Sequence, residues 1–220
     1  MKKFTLMDGA ALVIWLLPAV YLFLIYADLP QTVPVHYGLK GTVDRYGSKS
    51  EFLVTSFILI GVSALVYLLL KFLPAIDPKK KVKFGEATFQ KMAFGMIIFL
   101  AALNIVIIYA TVHRGFDISK LIFPLMGLLF VFIGNMMNSI KPNYFVGFKA
   151  PWALENEDNW RATHRLASRL WVAGGLVITI VTFILPTEPG TIAFMCGVAV
   201  LAIVPYVYSY RYFRKHTQNS

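Results

Sequence analysis

The densest gathering of chemically capable side chains lies between Ser139 and Ser168, in the stretch SIKPNYFVGFKAPWALENEDNWRATHRLAS. Arg161 and Arg165 stand one helical turn apart, a spacing that lets two guanidinium groups face one phosphate. His164 lies between them and is the residue type best suited to move a proton near neutral pH; Lys149 and Glu157 complete the set. The wider sequence argues against catalysis. It holds no activated Ser or Cys nucleophile, no paired acids at a useful spacing and no cluster of metal-ligand residues. The expectation is therefore a protein that is not an enzyme and uses no cofactor or metal. His164 beside Trp160 has an alternative role as a structural hydrogen-bonding group.

The same stretch reads as a helix start. Pro142 and Pro151 break helix, Asn156 is an N-cap, and Glu157 and Asp158 fall in the first turn, where the helix dipole favours negative charge. From there the helix runs into the next apolar segment with two faces. Trp160, His164, Ala167 and Trp171 form one, and Arg161, Arg165 and Arg169 the other. Glu157 pairs with Arg161 at four residues' spacing. Arg165 and Arg169 have no acid in that register, which leaves them for lipid phosphates, an acidic or phosphate-bearing ligand, or a protein partner. Trp152 and Trp160 beside them suit a contact surface.

A second informative loop is DLPQTVPVHYGLKGTVDRYGSKSE, Asp28 to Glu51. Its β-branched and aromatic runs flank Gly38-Leu39-Lys40-Gly41, which predicts a small hairpin. Pro30 and Pro34 hold extended backbone, and His36 and Asp44 fall near each other across the hairpin, where a hydrogen bond would hold it together.

The elements that carry these loops are apolar. Of the residues, 58% are hydrophobic and only 15% charged, against about 45–50% and about 25% in soluble domains. Six stretches approach the ~20 residues that cross a bilayer: Ala10–Ala27, Phe52–Leu73, Met92–Val112, Leu121–Met137, Leu170–Leu185 and Thr191–Tyr210. The first follows Lys2 and Lys3, but it is long for a signal peptide and lacks a cleavage site, so it reads as a retained helix. With the N-terminus placed inside, 16 of the 21 Lys and Arg residues fall in inside segments and 5 outside. The expected fold is thus all-α and polytopic, with six transmembrane helices, both termini cytoplasmic, and a hairpin-like extracytoplasmic loop after the first helix. The basic charge, net +10, is dispersed among loops beside membrane helices, which excludes nucleic acid as the partner. The Lys79–Lys83 cluster is explained by anionic lipid and topology. Within the spans, Asn104 is expected to hydrogen-bond to a neighbouring helix, Cys196 to pack, and Pro18, Pro124 and Pro205 to kink their helices. A transporter is disfavoured: the halves share no evident repeat and the spans lack coupling carboxylates.

Both loops carry a family resemblance. Leu29-Pro30, Val33-Pro34-Val35-His36, Gly41-Thr42-Val43-Asp44 and Gly47-Ser48-Lys49 resemble the N-terminal module of the SdpI family of bacterial membrane proteins. Gly134-Asn135, Lys141-Pro142-Asn143, Gly147 to Leu154, Trp160 and Thr163-His164-Arg165 resemble its C-terminal signature. Lys149-Ala150 departs from the family's usual Arg-Thr before Pro-Trp, keeping the charge but losing a bidentate fork and a hydroxyl. Ser168 stands where a glycine is usual.

The resemblance implies two modules, residues 1–74 and 75–220, in a multi-pass protein of the bacterial cell membrane. It also implies immunity to a secreted, membrane-active peptide toxin met on the outside, with a transcriptional repressor as the cytoplasmic partner. The candidate partner- or ligand-binding residues in the two loops are Asn143, Lys149, Trp152, Trp160, Arg161, His164 and Arg165 inside, and Pro34, His36 and Asp44 outside.

Overall fold

The computed structural model describes residues 4–38, 41–76, 86–113 and 115–217. The Lys79–Lys83 cluster lies outside the described residues, as do Lys2, Lys3, Lys40 and Arg114. The chain runs α1 (Leu6–Ile25), β1 (Thr32–Tyr37), β2 (Val43–Ser48), α2 (Lys49–Ile76), α3 (Glu86–Val112), α4 (Ser119–Met137), α5 (Pro151–Glu155), α6 (Glu157–Ile184) and α7 (Thr187–Thr217). Among the described residues, all of the helices except the short α5 are long and apolar enough to cross a membrane. Each expected span coincides with one of these six helices, although the first runs two residues past the end of α1 and the fifth one residue past α6, and α6 and α7 extend well beyond their spans at the loop end. Large apolar side chains such as Phe23, Ile58, Val177, Phe183 and Ile203 stay exposed on the bundle surface, as lipid-facing residues should. Cys196 is also exposed on α7, so it faces outward and does not fill the core.

The helices alternate in direction, so the bundle has a hairpin end and a loop end. α3 packs chiefly on α1 and α2, and α6 on α4 and α7. The α4–α6 seam is unusually close. A Cβ at Gly175 would lie 2.6 Å from the Gly127 carbonyl oxygen, so only glycine permits this approach. Pro205 has no N–H for the Leu201 carbonyl one turn earlier, and the Trp171 indole N–H donates to that oxygen instead at 2.8 Å. Asn104 donates to the Leu100 carbonyl within its own helix at 2.8 Å and reaches Ser63 of α2 at 3.4 Å.

At the hairpin end, β1 and β2 pair antiparallel, with irregularities around Pro34, His36 and Tyr37. Val33 is fully buried among Leu22, Leu29, Phe52 and Ile108, which seats the hairpin on α1–α3. At the loop end, Asp8 is held by its neighbours on α1 and α2. Its Oδ1 accepts from Tyr67 and Lys71, both at 2.6 Å, while Oδ2 accepts from the Thr5 backbone N–H at 2.7 Å in a capping box. Neither Asp8 nor Lys71 stands out in the sequence, because the two lie 63 positions apart.

Candidate functional site

The loop from Asn138 to Asn156 is built around two buried side chains. Asn143 ties its own turn: Nδ2 donates to the Lys141 and Val146 carbonyls, and Oδ1 accepts from the Phe145 and Val146 N–H groups. Trp160 on α6, 1% exposed, donates its indole N–H to the Ile140 carbonyl at 2.9 Å. Asn156 caps α6 as expected, accepting from Asn159 N at 2.9 Å, and Arg161 pairs with Glu157 at 2.6 Å.

His164 stacks on Trp160 with ring centroids 4.0 Å apart. Its Nε2 accepts from the Phe148 backbone N–H at 3.1 Å, which places the proton on Nδ1, where it donates to the Trp160 carbonyl at 2.9 Å. Both ring nitrogens are therefore engaged, and the imidazole links the loop to α6. Gly147 makes this arrangement possible. Its φ of 112° lies in the left-handed region, and a Cβ there would stand 2.4 Å from His164 Nε2.

Trp152 of α5 belongs to a second cluster. Its indole N–H donates to Ser209 Oγ at 2.8 Å, Ser209 donates to Asn159 Oδ1 at 2.8 Å, and Asn159 Nδ2 donates to the Ser209 carbonyl at 3.0 Å. Thr163 donates to the same Asn159 oxygen at 3.0 Å. This closed polar knot joins α5, α6 and α7. Sequence reading missed Asn159 and Ser209, 50 residues apart, because no local pattern pairs them.

The structure thus sorts the residues expected to bind something on the inside. Asn143, Trp160 and His164 are buried with their polar atoms partnered, and Trp152 is half-buried in the knot. Arg161, Arg165 and Lys149 are exposed. Lys141, Arg161 and Arg165 flank a cleft of about 460 Å³ whose floor is Trp160 and His164. Lys149 is not part of it.

At the hairpin end, His36 Nδ1 lies 2.5 Å from Asp44 Oδ1, with both side chains at least half exposed. Pro34 is buried beneath them and lines a cavity of about 420 Å³ with Tyr37, Gly41, Phe116 and Asp117. Burial pushes the Tyr37 phenol above its ordinary value, so it stays neutral at physiological pH. Its hydroxyl is buried beside Thr111 without a well-formed hydrogen bond among the described residues. Asp117 accepts from Ser119 N and from the Thr187 hydroxyl, and Gly41 (φ 71°) presses against its carboxylate. The turn of the hairpin thereby packs closely against the starts of α4 and α7.

Residues 139–209, which hold the loop, the cleft and the knot, match the SdpI/YfhL protein family. This part of the chain is similar to the SdpI/YfhL family. Residues 13–61, around the hairpin, match a domain of unknown function, DUF1648. The chain is 25% identical to the Immunity protein SdpI of Bacillus subtilis (strain 168) over 196 residues, covering 87% of this chain and 88% of that protein. It is also 36% identical over 62 residues to an uncharacterized protein of Archaeoglobus fulgidus, covering 28% of this chain and 32% of the other. No solved structure matches. With six helices among the described residues long and apolar enough to cross a bilayer, and similarity to a bacterial SdpI protein along most of its length, the chain is a multi-pass protein of the bacterial cell membrane.

Proposed function

We propose that the chain is an immunity protein that protects its own membrane from a secreted, membrane-active peptide toxin. The observation that carries this reading is the relationship to Immunity protein SdpI along 87% of the chain. The hairpin end faces outside in this reading, where Tyr46, His36 and the cavity beneath Pro34 offer a mixed aromatic and polar surface to a peptide. The loop end faces the cytoplasm and offers Arg161, Arg165 and Lys149 to a soluble partner such as a transcriptional repressor. The role is non-enzymatic, a reading supported by the engagement of both His164 nitrogens in holding the loop.

The direct test is survival. Toxin-sensitive cells expressing the chain are challenged with the peptide toxin secreted by the producing strain. Protected growth is expected, together with loss of protection when His36 and Asp44 are both replaced by Ala. Killing that is unchanged when the protein is verified in the membrane rejects immunity.

A further inference from the structure

We infer that the cleft at the loop end binds a phosphate-bearing anion at the membrane surface. Its walls come from two elements, the segment after α4 and the first nine residues of α6. Three cations line it, Lys141, Arg161 and Arg165, against one acid, Glu157, and that acid is already bound to Arg161 at 2.6 Å. Arg165 is exposed and has no partner among the described residues. A guanidinium in that position presents a fork of donors that matches phosphate oxygens. Asn138 and Ser139 add neutral donor groups on the opposite wall, and their side chains are likewise uncommitted.

The cleft is also rigid. The Trp160 indole holds Ile140, and Asn143 knots the following turn, so the wall that carries Ser139 and Lys141 is set before a ligand arrives. Preorganised donors lose less entropy on binding. The depth fits as well. α4 ends at Met137 immediately before one wall, and the apolar part of α6 begins at Leu170, one turn past Arg165. The cations therefore lie where apolar helix gives way to water, at headgroup level. A volume of about 460 Å³ suits a phosphate with its attached glycerol better than an extended acidic peptide. The phosphate can belong to a lipid or to a soluble compound. The inference is independent of the immunity reading.

The test uses the full chain purified in neutral detergent. Tryptophan fluorescence is followed during titration with dioctanoyl phosphatidylglycerol, with inorganic phosphate, and with dioctanoylglycerol as the phosphate-free control. Saturable binding of the first or second ligand is expected, with none of the third; phosphatidylglycerol alone identifies a lipid source, and inorganic phosphate binding alone a soluble one. Arg165→Gln is expected to weaken binding about tenfold, the loss of one charge-assisted fork. Arg169→Gln, one turn further on and outside the cleft, should change it less than about twofold. Both residues are exposed, so both variants should keep the wild-type unfolding midpoint. Failure of both phosphate ligands to saturate overturns the inference, as does equal weakening by the two variants. Polyglutamate binding where the phosphate ligands do not bind also overturns it, in favour of a protein partner.

Discussion

At the scale of single residues, the loop end separates side chains that build from side chains that face out. His164 lies among functional-looking arginines, yet each of its nitrogens already has a partner. Replacing it with Leu leaves the Phe148 N–H buried without an acceptor, a cost of about 1–3 kcal/mol. A lowered thermal unfolding midpoint in detergent is the expected result, and an unchanged midpoint would return His164 to the list of free functional groups. Asp8 offers a sharper case. It is 4% exposed and neutralises a Lys71 that is itself mostly buried. Asp8→Asn removes the charge and leaves the ammonium facing a neutral group, which should destabilise by about 3–5 kcal/mol. The double variant Asp8→Leu, Lys71→Met should recover much of the loss, because no isolated charge then remains. Comparing unfolding midpoints of the single and double variants checks this. By contrast, His36 and Asp44 are an exposed pair worth less than about 1 kcal/mol, so lost protection in their variants would report on recognition and not on folding.

At the scale of elements, the helices and the hairpin were legible because their signals are local: apolar length, an N-cap at Asn156, β-rich runs around Gly38 and Gly41. What stayed hidden depends on helices meeting in a particular register. The Asn159–Ser209 knot and the Asp8–Lys71 pair join residues 50 and 63 positions apart, and no window along the chain sees both. Burial of Trp160 is a related case, since an indole on a helix face reads equally as anchor or contact surface until its N–H partner is known. The α4–α6 seam is likewise a matter of register. Gly175→Leu places atoms where the Gly127 carbonyl and Val131 backbone already stand, and overpacking of this kind costs about 1–3 kcal/mol or more. Thermal unfolding should show a clear loss for Gly175→Leu and little for Gly61→Leu, whose Cβ position on α2 is open.

At the scale of the whole molecule, two distinct ends are joined by a chemically quiet bundle. The distribution of Lys and Arg predicts that the hairpin end lies outside. Single cysteines introduced at Ser48 and at Lys149, in a chain with Cys196 replaced by Ala, test that assignment. An impermeant thiol reagent applied to intact cells is expected to label the first and spare the second, and the reverse pattern would invert both the toxin and repressor readings. The ends are not mechanically separate. Asp117 packs against Gly41 of the hairpin region and accepts from Thr187, two residues past the Leu185 cap of α6.

That contact gives α6 a further meaning. It is one unbroken helix of 28 residues without an internal proline, from the cleft at Glu157 to the clasp beside Leu185. At 1.5 Å per residue it is a rod of roughly 40 Å, and a tilt of about 3° at one tip displaces the other by about 2 Å. A pull on the hairpin would act beside one tip of that rod. Arg161 and Arg165 ride at its opposite tip, beside the cleft.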